Sequence, residues 1–277
     1  MSAPGASSPS YELPGRGGFP RVDDYRTDID FETEEMVGGV VYKVMGADLP
    51  HAECNGQLDY LLQGVAAPGY AVTTDLKTRH DVEDDFATDS ALVKKGTDPQ
   101  TGTRYLEEIA FEVVDKQSPS IVTRKASRMI RRGVRRVFAV FVKKGRVKEW
   151  SAATGKWVTL HPTARIDDPI LAEPIKVSAV LDAAEADDAV ARGLVKKQNP
   201  EILRILRQRH EEGKAEGIVE GRLDARRQAI LSVLEARSLA VSPAVRDAVL
   251  AGNDGAVLER WLKAAARVGD ADALLDT

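Results

Sequence analysis

Ile109-Ala110-Phe111-Glu112-Val113-Val114 is the stretch on which the reading of this chain turns. Side chains alternate along a strand, so Ile109, Phe111 and Val113 point one way and Ala110, Glu112 and Val114 the other. Both faces are apolar except for Glu112. A carboxylate set between Ala and Val needs a metal ion or a cationic side chain if it is buried; the alternative is an edge strand with Glu112 in water. Downstream, Ser118-Pro119-Ser120 opens a helix over 121–132 that Gly133 stops, and Lys125 lies on it. Arg136 to Val142 reads as the most apolar strand, Gly145 turns it into Arg146 to Ser151, and Trp157 to Leu160 adds a last strand. Upstream, Arg104 to Val114 is one strand after the turn Asp98-Pro99-Gln100-Thr101-Gly102, and Ala91-Leu92-Val93 is another, with Asp89 just before it.

Nearer the start, Glu34 to Val44 reads as a hairpin around Gly38-Gly39, where positive φ is cheap. Asp48 caps a helix with Pro50 in its first turn; the helix runs to about Gln63 and buries Leu58, Leu61, Leu62 and Val65. Tyr70 to Thr74 reads as a short strand. Strands alternating with helices over about 160 residues define an α/β sheet domain. From about Leu181 the chain turns to Ala, Leu, Glu and Arg with helical periodicity, predicting three or four helices and no strand.

Asp89, Glu112 and Lys125 on neighbouring elements suit metal-dependent phosphodiester hydrolysis. Two carboxylates can hold Mg²⁺ or Mn²⁺, and a lysine can steady a water nucleophile or a developing negative oxygen. Taken singly, Asp89 is a strand-start residue and Lys125 a solvated lysine.

The 277 residues are 43% hydrophobic and 30% charged, as in ordinary globular proteins. No apolar run approaches the roughly 20 residues that span a bilayer. Cys54 is the one cysteine and the four histidines are scattered, which excludes a disulfide framework and a thiolate zinc cluster and points to a cytoplasmic, reducing home. The net charge of −4 hides an asymmetry: Lys116 to Lys148 holds twelve Lys or Arg and no Asp or Glu. Such a stripe suits a phosphate-rich ligand, or pairs with the acidic segments 23–35 and 81–89.

These residues resemble the Uma (Uma-two) family of restriction-endonuclease-like proteins, a branch of the PD-(D/E)xK nuclease superfamily. The resemblance spans about Tyr25 to Leu160. Glu35-Met36-Val37-Gly38-Gly39 is similar to the family's Glu-apolar-apolar-x-Gly hairpin, and His51 stands where members carry a His opening the first helix. Thr88-Asp89 occupies the Pro-Asp position, Glu112 through Ser118-Pro119 resembles the Glu-Val-x-Ser-Pro segment, and Lys125 through Gly133-Val134 matches Lys-x7-Gly-Val. The chain departs from the pattern at Thr88, in two extra residues before Ser118, at Met129 in place of an aromatic, and at Val114, where the superfamily places its lysine.

The resemblance implies a restriction-endonuclease-like mixed central sheet flanked by helices, here followed by an α-helical C-terminal region. It also implies Mg²⁺-dependent DNA cleavage by metal-activated water, with Glu35, Glu53 or His51 as additional site residues. Arg124, Arg128, Arg131 and Arg132 are the expected nucleic-acid contacts. The expected organisation is a disordered tail (1–20), the nuclease-like domain (21–180), a helical connector (181–223) and a small helical module (224–277). The connector carries Gly213, Gly217 and Gly221 at four-residue spacing, either a homodimer seam through the C-terminal helices or a frayed link. The C-terminal region loosely resembles tails of Rpn-type nuclease/transposase-like proteins. Two rival functions stay open: a catalytically inactive DNA-binding protein on the same fold, and an interaction protein acting through its C-terminal helices.

Overall fold

A computed structural model describes residues 13–26, 33–44, 46–116 and 118–276. Residues 1–12, most of the expected tail, lie outside them. The chain forms two compact units divided between Asn199 and Pro200.

The first unit is built on an eight-stranded mixed sheet. Strands β1 (Glu34–Val37) and β2 (Val40–Lys43) form the expected hairpin, with Gly38 and Gly39 at φ 61° and 74°. Helix α1 (Leu49–Val65) starts at Asp48, whose carboxylate accepts from the His51 amide, and it buries Leu58, Leu61, Leu62 and Val65. Strands β3 (Tyr70–Asp81) and β4 (Asp84–Lys94) make a long hairpin, far longer than the two short strands expected. Its polar residues hide the strand period from sequence, because Thr78, His80, Asp84, Asp85, Thr88 and Ser90 are buried.

Strand β5 (Glu107–Val114) pairs in parallel with β6 (Arg136–Phe141) across helix α2 (Pro119–Arg132). Gly133 ends α2 at φ 117°. Strands β7 (Arg146–Ser151) and β8 (Lys156–Thr159) complete the sheet in the order β2-β1-β4-β5-β6-β7-β8, with β3 on the other edge of β4. A two-stranded ribbon, β9 (Arg165–Ile166) with β10 (Ile175–Lys176), follows.

The alternation expected in β5 sets the layers. Ile109, Phe111 and Val113 share a core with Leu58, Leu61 and Leu62 of α1. On the other face, Ala110 packs with Ala126 and Met129 of α2, and Val114 with Val122. Helix α3 (Ala183–Lys196), read from sequence as connector, contributes Ala186 and Ala189 to the α1 core of the first unit.

The second unit contains α4 (Pro200–Ala236), α5 (Pro243–Ala251) and α6 (Gly255–Ala265). Its core joins Leu223, Ile230 and Leu234 to Val245, Val249 and Leu258. No helix among the described residues is long and apolar enough to cross a membrane.

Candidate active site

The site lies where the sheet forks. One edge of β4 pairs with β1 at Asp84 and Asp85, and with β5 from Ser90 to Val93. Between these pairings β1 and β5 diverge, and residues 86–89 face a gap in the ladder. Backbone groups cannot be left unpaired there, and side chains take the place of the missing strand. The Ala87 amide donates to Glu35 Oε1 at 2.8 Å, and Lys125 Nζ donates to the Ala87 carbonyl at 3.0 Å. Across the fork the Val113 amide donates to Asp89 Oδ2 at 2.5 Å.

The register brings the predicted carboxylates together. Ser90 pairs with Phe111, so one step further along the antiparallel ladder Asp89 stands opposite Glu112. Glu112 is fully buried and neither of its oxygens accepts a hydrogen bond. Lys125 Nζ stands 3.7 Å from Glu112 Oε2, and 2.8 and 3.1 Å from the two oxygens of Glu35. Burial pushes the Glu112 carboxyl well above the usual range; Lys125 opposes that shift, and Asp89 and Glu35 add to it. Burial alone would lower the Lys125 pKa, but Glu112, Glu35 and Asp89 outweigh it and hold the amine protonated.

His51, one turn into α1, places Nε2 3.7 Å from Asp89 Oδ1. Its pKa is raised, first by Asp89, against a smaller lowering from burial. Of the additional residues implied by the resemblance, Glu35 and His51 therefore join the cluster. Glu53 is exposed on α1, outside these contacts.

The arginines of α2 are held by the protein itself. Arg124 donates to the Tyr42 hydroxyl at 2.7 Å, Arg128 pairs with Asp84 at 3.1 Å, and Arg131 pairs with Asp81 and Asp84. Arg132 corrects the expectation most sharply. It is 8% exposed and donates to the carbonyls of Arg16 (2.9 Å) and Pro20 (2.8 Å), with its guanidinium over the Phe19 ring. It is a clamp on residues 16–20, which are accordingly in place rather than part of a tail, and it has no face to offer a phosphate.

Asp75 escaped the sequence reading, which ended its strand at Thr74. Thr74 pairs with Ser90 and Leu76 with Thr88, so Asp75 stands opposite Asp89. Its φ of 49° is left-handed, which is costly for a residue with a β-carbon. Burial first, then Asp89, raises its pKa. No hydrophobic alternation marks this run in the sequence, because its inward positions include Thr78 and His80.

Among the described residues, no group of three or more His, Cys, Asp or Glu side chains could hold a metal ion. At the fork Asp89 and Glu112 are the opposed carboxylates in register, with Lys125 3.7 Å from Glu112.

No protein-family profile matches the chain, and no curated protein matches it. Among solved structures it is similar to one from Anabaena variabilis described as a candidate nuclease belonging to DUF820. The two share 11% identity at a TM-score of 0.43, over 55% of this chain and 90% of that one.

Proposed function

We propose that this protein is a Mg²⁺- or Mn²⁺-dependent endonuclease that hydrolyses DNA phosphodiester bonds at the fork between β1 and β5. One observation carries the reading: Glu112 is fully buried, both its oxygens lack hydrogen bonds, and Asp89 stands opposite it in register. A buried carboxylate with no donors is costly unless a cation completes it. Two carboxylates fit Mg²⁺, which binds few protein ligands and keeps several waters. When bound, such an ion would neutralise phosphate charge and acidify a coordinated water.

The residues then divide the work. Asp89 and Glu112 would hold the ion. The Val113 amide and His51 orient Asp89. Lys125, kept protonated by its carboxylate neighbours, supplies a positive charge for the developing negative oxygen. Glu35 positions Lys125 from the other side.

The test is plasmid cleavage with Mg²⁺ or Mn²⁺, with EDTA and Glu112→Ala as controls. Asp89→Ala or Glu112→Ala should lower cleavage by a factor on the order of 100 or more, while DNA affinity at a fixed salt concentration is retained. Equal cleavage by wild type and both variants sinks the proposal.

A second reading is favoured by the position of Lys125. Its ammonium already lies against Glu112 and Glu35, so it can act as an internal counter-ion on a non-cleaving DNA-binding protein. Calorimetric titration separates the two. Mg²⁺ or Mn²⁺ binding that depends on Asp89 and Glu112 supports the enzyme; salt-sensitive DNA binding without metal binding supports the alternative.

A further inference from the structure

Helix α4 is 37 residues long, about 55 Å at 1.5 Å per residue. Every residue from Arg204 to Arg222 is exposed. This stretch includes Gly213, Gly217 and Gly221, and a β-carbon at any of them would meet nothing within 4 Å. Each glycine weakens a solvated helix by about 1 kcal/mol relative to alanine. The exposed stretch also carries large apolar side chains: Ile205 is 42% exposed, Leu206 50% and Val219 57%.

Two patterns identify what covers it. First, Ile205, Glu212 and Val219 recur every seven residues on one stripe of the helix, and the stripe continues into Leu223, Ile230 and Leu234, which are core residues of the second unit. Ile205 and Val219 are thus equidistant from Glu212. Second, charge is segregated about the same point. Residues 201–210 hold three arginines against one glutamate, and residues 211–220 hold four glutamates against one lysine. Ile218 lies on the opposite side of the helix and takes no part.

We infer that α4 pairs with α4 of a second copy of this chain, antiparallel, about a two-fold axis near Glu212. An isologous contact of this kind places the same patch on both subunits. It sets Ile205 against the partner's Val219, and the basic half of each helix against the acidic half of the other. A parallel pair would stack like charge on like. The two Glu212 carboxylates meet at the axis, where Arg209, 3.1 Å from Glu212 in its own helix, offsets their repulsion. The contact is about five turns long and polar, so it lies at the weak end of protein interfaces, with a dissociation constant in the micromolar range. The inference is independent of the nuclease proposal.

The full chain tests it. Light scattering across micromolar concentrations should show mass rising toward twice that of one chain. Ile205→Asp combined with Val219→Asp should leave a monomer with an unchanged circular-dichroism spectrum. Orientation follows from cross-linking in a Cys54→Ser background with a short bis-maleimide. Mixing Ile205→Cys protein with Val219→Cys protein should give cross-linked dimers, and Ile205→Cys protein alone should not. Should the cysteine variants fold poorly, a salt titration of the unaltered chain serves, since opposite-charge pairing weakens as salt rises; the dissociation constant should rise several-fold between low and high salt. A mass that stays monomeric, a self-link through position 205, or a dimer indifferent to salt overturns the inference.

Discussion

Lys125 Nζ lies 2.8 Å from Glu35 Oε2, closer than the 3.7 Å that separates it from Glu112 Oε2. The lysine therefore belongs first to the hairpin carboxylate and second to the strand carboxylate. It also donates to the Ala87 carbonyl, so one ammonium ties β1, β4, β5 and α2 together. Lys125→Met would leave Glu35 and Glu112 without a cation. Breaking a buried pair by removing one partner costs about 3–5 kcal/mol, and thermal or urea unfolding should register that loss. Adding Glu35→Gln to Lys125→Met should recover part of it. A double variant no more stable than the single would show that the pair is not coupled in this way.

Arg132→Ala should release residues 16–20 from α2. Two hydrogen bonds from a largely buried guanidinium are lost, a cost of about 2–4 kcal/mol. Limited proteolysis near Phe19 should accelerate, while the salt dependence of DNA binding stays unchanged because Arg132 faces no phosphate. Arg131→Ala, at a half-exposed side chain, should do the reverse: little change in stability and a shallower salt slope.

His80 is fully buried against Phe86 and neither ring nitrogen has a partner. Burial, then Arg132, Arg104 and Lys125, depress its pKa well below the ordinary value. The sign follows from proton counting. Below about pH 6.5 the unfolded chain takes a proton that the folded chain refuses, so stability is present above that value and lost as pH falls. The loss from this residue grows as pH falls below that value toward the depressed folded-state pKa. His80→Phe should remove that part of the decline between pH 7 and pH 5 in a melting series. An unchanged pH slope would assign the decline to other groups.

Gly64 of α1 and Gly193 of α3 mark the closest approach of those helices. A β-carbon on Gly64 would fall 2.4 Å from Val190 Cγ2, and one on Gly193 would fall 2.4 Å from the Gly64 carbonyl oxygen. Gly64→Ala should cost about 1–3 kcal/mol through overpacking. Val190→Ala in the same chain should relieve part of it, removing both γ-carbons while the Val190 β-carbon stays 2.8 Å away. Gly193→Ala meets backbone and should not be rescued by that change.

What could be read from sequence depended on how each residue announces itself. The β5 alternation, the Gly-Gly hairpin, the Asp48 cap and the Gly133 stop each rest on local stereochemistry, and all of them appear in the fold. The β3–β4 hairpin was truncated because its inward positions are Thr, His, Asp and Ser, which carry no hydrophobic period. Asp89, Glu112 and Lys125 were singled out, but that Asp89 and Glu112 are cross-strand neighbours depends on pairing register, a long-range property. Asp75 was missed for the same reason. Arg132 misled because a run of like charge names no partner: Asp81 and Asp84 approach the neighbouring arginines from a distant turn, and the Arg132 clamp is made by main-chain carbonyls that no side-chain pattern encodes.

The gap in the β4 ladder has a consequence for how this molecule can change over time. Glu35 and Asp89 accept from main-chain amides that no strand reaches, so folding itself selects for acidic residues at these positions. A descendant that abandoned its chemistry would remain under pressure to keep them. Their survival in a lineage would therefore record the architecture of the sheet, whereas Glu112, whose oxygens accept from no main-chain amide, is the position whose loss would report on the proposed chemistry.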